Sequence, residues 1–579
     1  MSSRRGALLL VLSIVIIGIA ALAAAFALRR PLRSGGDGRV LILDVPSNIE
    51  EGLPPYTPWS LGALRAEPHT LSDLTWAMRR AAEDDGVHGL ILHIDGLDWG
   101  WARIAEFRDA VAEFRASGKP VLATLTGGGE REYLLASAAD RVSMPAVAHL
   151  QLDGLTASAM FLRGAYDKLD IRPNFAHVGQ YKSAVEQYTR ETMSEPSRAA
   201  LDTLLGDQFG RLVDSLASAR GVSKGAMRAL IDEGPYVTAR AYELGLIDTL
   251  LDKSVADSLL LRHGTRRYEG YSFQRYVDDG STPKVGEHIA LVVASGAIVP
   301  GKSRENPFEG RELGSETLIA ALREARTRSS VKAVVLRIDS PGGSADASDD
   351  IWQEVRRVRA VKPVIVSMSD LAASGGYYIA CGADAIVAQP STLTGSIGVF
   401  GGKLNILGLY HKLGLNIETV SRGRHSQMLS PFRDFTPEEA ALYQGQLEDF
   451  YRVFLDRVAT GRGMSTVLVD SVAQGRVWSG AMAQRLGLVD ELGGLDRAVE
   501  LARARAKIDE SATVLLDIYP RPRRPYLQRW LTDLIGDGEE DPARLPLGLG
   551  TEVLRAWMVA AHFPDGAVLA LMPYSIIIR

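Results

Sequence analysis

A serine followed by two glycines, Ser374-Gly375-Gly376, stands just after the apolar run PVIVSMS (363–369) and at the head of a helical pattern starting near Ala373. At such a place backbone N–H groups are unpaired and the helix end is electropositive. The glycines let a carbonyl approach the main chain closely. A second pair, Gly342–Gly343, ends a neighbouring strand and offers further donors for an oxyanion hole. The chemistry in view is acyl transfer to a hydroxyl. A serine before Gly-Gly is more often only a helix N-cap, so the pattern needs a base beside it. Ser374, His425 and Asp339 can be assembled on paper, but no spacing singles them out. A lysine serves if burial lowers its pKa from about 10.4 towards neutrality. The candidate is Lys182 in GQYKSA (179–184), although an isolated lysine is usually a solvated surface group.

The reason to pair these two residues is an internal repeat. HGLILHIDG (88–96) aligns with KAVVLRIDS (332–340) at an offset of 244, placing Asp95 opposite Asp339. Leu74, Ala77, Arg79 and Ala81 face Leu318, Ala321, Arg323 and Ala325 at the same offset, and YLLASAAD (133–140) faces YYIACGAD (377–384). YDKLDI (166–171) matches YHKLGL (410–415), and GPYVTARAYELGLID (234–248) matches GRVWSGAMAQRLGLVD (475–490) with a small slip. Five ordered matches make chance improbable. One unit spans about 39–262 and the other 287–510, with 263–286 as connection and 511–579 outside the repeat. Each alternates β-branched runs with amphipathic stretches, which implies an α/β fold of parallel strand–helix–strand units.

The copies differ where the chemistry would be. Ser374 faces Glu130, and DSPGG (339–343) faces DGLDW (95–99). Conversely, Lys182 faces Ser426 in GRHSQM (423–428). One copy keeps the serine, the other the lysine. A site built from both must lie between the units.

The segments AASGGYYIACGAD, STLTGSIGVFG (391–401), DSPGG and QYKSAVE (180–186) resemble the signal peptide peptidase A family in its long, duplicated form, over roughly residues 40–510. The resemblance implies two tandem ClpP/crotonase-like domains of spiralled ββα units. It also implies a serine endopeptidase with Ser374 as nucleophile and Lys182 as base. Short members of that family carry the lysine in a Gly-x-x-Lys segment that matches GRHS here, and long members use the lysine of the first domain. The serine of TGS, Ser396 here, would orient the lysine, and Gly375, Gly342 and Gly343 would line the oxyanion hole. Signal-peptide remnants and other apolar peptides are the implied substrates. The implied setting is a homo-oligomer, a tetramer, on the extracytoplasmic side of a bacterial inner membrane. No cofactor or metal is implied.

Residues 7–28 (ALLLVLSIVIIGIAALAAAFAL) carry no charge and match the roughly 20 residues needed to span a bilayer as a helix. Arginines flank them on both sides, so charge leaves the orientation open. A cleaved signal peptide is the competing reading, though the run is longer than the usual apolar core of one. The remaining sequence is that of a folded globular protein, with 46% hydrophobic and 23% charged residues and a net charge of −5. Without a basic block a nucleic-acid partner is disfavoured. The single cysteine, Cys381, excludes an intrachain disulfide and a cysteine-rich metal site. Two other readings stay open at this level: a crotonase-type acyl-CoA enzyme, and a silent scaffold that binds membrane peptides.

Overall fold

The computed structural model describes residues 38–52, 69–263, 266–280, 285–306, 310–521, 568–572 and 577–578. The apolar segment 7–28 lies outside them, and no helix among the described residues is long and apolar enough to cross a membrane.

In the first unit the strands β1 (Arg39–Asp44), β2 (Val87–Ile94), β3 (Val121–Leu125) and β4 (Arg141–Ser143) are parallel. Helices α1 (Leu71–Glu83), α2 (Trp101–Ala116) and α3 (Glu130–Ala136) connect them in turn. The chain then leaves this sheet through β5 (Arg172–Val178) and the 26-residue helix α4 (Glu195–Arg220), and returns as β6 (Glu269–Ser272). The sheet order is β6-β1-β2-β3-β4. Strand β2 is buried along almost its whole length, because helices cover both faces of a parallel sheet.

The second unit repeats this plan. Strands β7 (Glu287–Ser295), β8 (Val331–Ser340), β9 (Gly342–Ser344), β10 (Val364–Ala373), β11 (Ala385–Ala388), β12 (Leu393–Gly395) and β13 (Val399–Asn405) come in succession. Helices α5 (Ser315–Thr327), α6 (Ala345–Arg359) and α7 (Gly375–Ala380) alternate with them, and α8 (Pro437–Arg462) again has 26 residues. Strands β14 (Val477–Ser479) and β15 (Val514–Tyr519) complete a sheet ordered β14-β12-β10-β8-β7-β15, with β11 paired to β10. Helices α1 and α5 start and end 244 residues apart, the offset found in the sequence. The edge strands β6 and β15, each parallel to the first strand of its unit, lie in the stretches read from sequence as connection and extension.

Each unit has its own apolar core, one around Leu92, Phe107 and Tyr133, the other around Leu336, Ile351 and Tyr377. Buried charge joins them. Arg337 of β8 donates to Glu51 at 2.8 and 3.0 Å and to Glu106 of α2 at 2.8 Å, with all three side chains buried. Burial alone would raise both carboxyl pKa values. Arg337 and Arg103 outweigh it for Glu51, held at about 2, whereas Glu106 stays above its ordinary value. One cation shared by two buried acids satisfies the nearer-paired one first. Asp370 of the second unit accepts the N–H groups of Ala102 and Arg103 at 2.9 and 3.0 Å, closing the start of α2 that Gly100 leaves without a side-chain cap.

A third sheet of seven strands crosses between the units, and its last four run β9, β16 (Leu569–Leu571), β13, β5. β5 and β13 pair antiparallel over seven residue pairs, from Val178↔Val399 to Arg172↔Asn405. Strand β5 thus belongs to the first unit in sequence and to the second in hydrogen bonding. That pairing sets the position of the chain just beyond Val178.

Candidate active site

Beyond Val178 the chain turns through Gly179, whose φ of +107° favours glycine and whose Cβ would lie 2.5 Å from the Gln474 carbonyl carbon. Tyr181 N–H donates to the Gln474 carbonyl at 2.8 Å, and Lys182 N–H to the Gly179 carbonyl at 3.0 Å. Gly475 closes the other side: a Cβ there would lie 2.6 Å from both Cβ and N of Lys182. The lysine backbone is therefore seated directly on a glycine of the second unit, and its side chain points inward with no exposed surface. Nothing in the sequence marked Gly475, although it heads the GRVW segment of the repeat.

Ser374 sits between β10 and α7 with φ 55° and ψ −112°. A side-chain-bearing residue in the positive-φ region costs roughly 1–3 kcal/mol and persists only where the surroundings impose it. Here Ser374 N–H donates to the Gly395 carbonyl of β12 at 2.7 Å and the Ser374 carbonyl accepts Tyr378 N–H at 2.8 Å. The strand before it is held on both sides, by β8 and β12. This sharp strand-to-helix turn projects Oγ towards the first unit.

The structure brings three of the sequence-derived candidates together. Lys182 Nζ lies 2.8 Å from Ser374 Oγ, 3.0 Å from Ser396 Oγ and 3.0 Å from the Ser396 carbonyl oxygen. All three residues are fully buried. Burial holds the Lys182 pKa well below its ordinary value, because a charged amine loses its hydration there. A neutral amine has one lone pair and two N–H groups. The lone pair accepts the Ser374 hydroxyl, and the N–H groups donate to the two Ser396 oxygens. Three contacts match three capacities.

The glycines divide their work. Gly342 N–H donates to Ser340 Oγ at 3.2 Å, so it already has a partner. A Cβ on Gly342 would lie 2.5 Å from Gly375 N and 3.0 Å from the Ala373 carbonyl oxygen, so this glycine permits the close approach of β9 to the Ser374 turn. The amides of Gly343 and Gly375 are left as the pair best placed for an incoming carbonyl. Asp339 and His425 do not join Ser374: Asp339 pairs with Arg103 and accepts Leu371 N–H at 3.2 Å, and His425 lies near Glu438 and Glu439. Ser426, the counterpart of Lys182, is exposed and donates to the Gly423 carbonyl at 2.9 Å. Among the described residues no group of three or more His, Cys, Asp or Glu is placed to hold a metal ion.

The family model for "Peptidase family S49" matches residues 113–259 and 356–509, one stretch in each unit. The chain is 37% identical over 463 residues to the chloroplastic serine protease SPPA of Arabidopsis thaliana, covering 78% of this chain and 68% of that protein. It is 34% identical to Protease 4 of Haemophilus influenzae, covering 74% and 72%, and 33% identical to Protease 4 of Salmonella typhi, covering 81% and 79%.

Proposed function

The chain belongs to peptidase family S49 and is a serine endopeptidase, and from that premise we propose that Ser374 is its nucleophile and Lys182 its general base. The observation that carries the assignment is the three-contact environment of the buried Lys182 amine. In the first step Ser374 Oγ attacks the peptide carbonyl while its proton moves to Lys182 Nζ. The amides of Gly343 and Gly375 receive the oxyanion, and Ser396 keeps the lysine aimed as it becomes charged. Collapse expels the amine, which takes the proton from Lys182, and leaves an acyl ester on Ser374. Water, deprotonated by the same lysine, then releases the acid. Family membership sets aside the acyl-CoA and scaffold readings.

The finer expectations belong to this proposal too. The two units are read as ClpP/crotonase-type spirals, and residues 7–28 as an anchor that holds the catalytic domains against a bacterial inner membrane on its extracytoplasmic side. Signal-peptide remnants and other apolar peptides are the substrates, and an oligomer, a tetramer, is the working form. The names of the relatives, serine protease and Protease 4, support the chemistry rather than these details.

Hydrolysis of a fluorogenic apolar peptide by the wild type, Ser374→Ala and Lys182→Ala tests the dyad. Each substitution is expected to lower kcat by a factor of about 10³ or more. Full activity in either removes that residue from the mechanism. The base must be neutral to accept a proton, so kcat/KM falls as pH drops through the lysine's depressed titration. A flat profile there counts against Lys182.

A further inference from the structure

Strand β16 lies in the sequence beyond both units, yet it is inserted between β9 and β13, directly over the candidate site. It runs antiparallel to β9 with Gly342↔Leu571, Gly343↔Ala570 and Ser344↔Leu569 in register, and Leu569 pairs with Phe400 of β13. Two flanking bonds fix the phase of the ladder. Ala345 N–H donates to the Val568 carbonyl at 3.1 Å, and Met572 N–H donates to the Pro341 carbonyl at 2.8 Å. Hydrogen-bonded pairs alternate along an antiparallel ladder, so Gly343 and Ala570, midway between these two, form a bonded pair. The Ala570 carbonyl therefore faces Gly343 N–H.

The same oxygen is close to the second donor. A Cβ on Gly342 would lie 2.0 Å from the Ala570 oxygen and 2.5 Å from Gly375 N, and a Cβ on Gly375 would lie 3.0 Å from that oxygen. The Ala570 carbonyl thus occupies the space between the two amides assigned above to the oxyanion, beside Ser374. Side chains are accommodated on both faces. Leu569 and Leu571 pack with Ala184, Val185 and Phe400, just after Lys182, and Met572 packs with Leu204, Ala373 and Val477. Downstream, Ile577–Ile578 pair antiparallel with Ala157–Ser158 of the first unit. The bond after Ala570 is therefore held from both sides, and a small residue stands where the attacked carbonyl belongs.

We propose that Val568–Met572 is an internal substrate of this site, cut in cis between Ala570 and Leu571. The inference rests on the reading of Ser374 and Lys182 as nucleophile and base. Ser374 Oγ bonds to the Ala570 carbonyl carbon, its proton passes by way of Lys182 to the Leu571 nitrogen, and the Ala570–Leu571 bond breaks. Water then hydrolyses the Ser374–Ala570 ester, leaving a chain that ends in the Ala570 carboxylate.

Intact-mass and C-terminal peptide analysis of the purified full-length protein tests this, with hydrolysis of the fluorogenic peptide measured on the same preparations. Wild type is expected to end at Ala570, and Ser374→Ala to retain the segment from Leu571 onward. Ala570→Trp is expected to shorten at least about tenfold more slowly while still hydrolysing the peptide. Wild type that hydrolyses the peptide yet keeps its C-terminal segment, or is cut at another bond, overturns the proposal and leaves the dyad standing. Loss of both activities in wild type overturns the two together. Ser374→Ala protein mixed with wild type should stay intact, and its shortening after Ala570 would overturn cleavage in cis.

Discussion

At the point where the second unit carries Ser374, the first carries Glu130, and the two positions are handled in opposite ways. Ser374 is held at positive φ with its hydroxyl aimed across the unit boundary. Glu130 opens α3 after Gly129, and its carboxylate turns back to accept the N–H groups of Asp153 and Gly154 at 2.9 and 2.8 Å. Those residues stand opposite Ile397 and Gly398, directly after Ser396 in the second unit. Burial raises the Glu130 pKa while those N–H bonds work against it. The carboxylate thus satisfies, within its own unit, backbone groups that in the other unit adjoin the lysine pocket. One copy has closed its site with a structural side chain, and the other keeps it open for a partner 192 residues away. Duplication preserved the frame while the free hydrogen-bonding capacity went to a single site.

Moving the serine tests this contrast most directly. Glu130→Ser in a Ser374→Ala background is expected to leave peptide hydrolysis at least about 10³-fold below wild type, because Ser426, not a lysine, holds the matching position. Recovery of activity would mean that the first unit retains a working site.

The next largest effect concerns the lock between the units. Position 337 is the counterpart of His93, which bridges Asp44 and Asp257 at 2.8 and 2.9 Å within the first unit, whereas Arg337 reaches across to Glu51 and Glu106. Arg337→Ala leaves two buried acids unpaired and is expected to cost about 3–5 kcal/mol in denaturant unfolding. The loss should be smaller at low pH, where the freed carboxyls are neutral in both states. Unfolding midpoints unchanged near pH 7 would show that the network does not hold the interface.

Ser396→Ala probes the open site itself. Its hydroxyl oxygen accepts from Lys182 Nζ, which favours the charged amine, so its loss should lower kcat about tenfold and move the acid limb of the pH profile to lower pH. A tenfold loss with an unmoved limb would mean that Ser396 only packs the site.

The smallest difference lies at the starts of α1 and α5. Thr70 forms a reciprocal capping box with Asp73, while Gly314, its counterpart, has no side-chain cap. Thr70→Ala is expected to cost about 1 kcal/mol, measured as a shift in denaturant midpoint. A capping residue cannot be grafted at the other start, since a Cβ on Gly314 would lie 2.1 Å from the Lys302 carbonyl carbon.

Much of this was legible in the sequence because a duplication supplies an internal control. The 244-residue offset marked where Ser374 and Lys182 stand against residues that cannot do their work, and it survives as matched helix limits. The features that escaped were long-range and irregular. No periodicity tells that Asp370 closes the start of α2, that Gly475 supports Lys182, or that Glu51 reaches Arg337 across 286 residues. Strand β16 was hidden for another reason. Its apolar run reads equally as a surface-packed extension, and its pairing partners are fixed only once β9 and β13 leave a gap between them.

The pairing of β5 with β13 also bears on how the protein is made. A ribosome finishes the half that carries the base long before Ser374 is synthesised, and domains fold as units in that order. The late half then contains the hydroxyl but a cavity without an amine. Proton transfer from Ser374 becomes possible only when two folded bodies dock and seven residue pairs zip along that seam. A nascent or truncated chain is therefore harmless to its neighbours, and the last event of assembly is also the one that arms the enzyme.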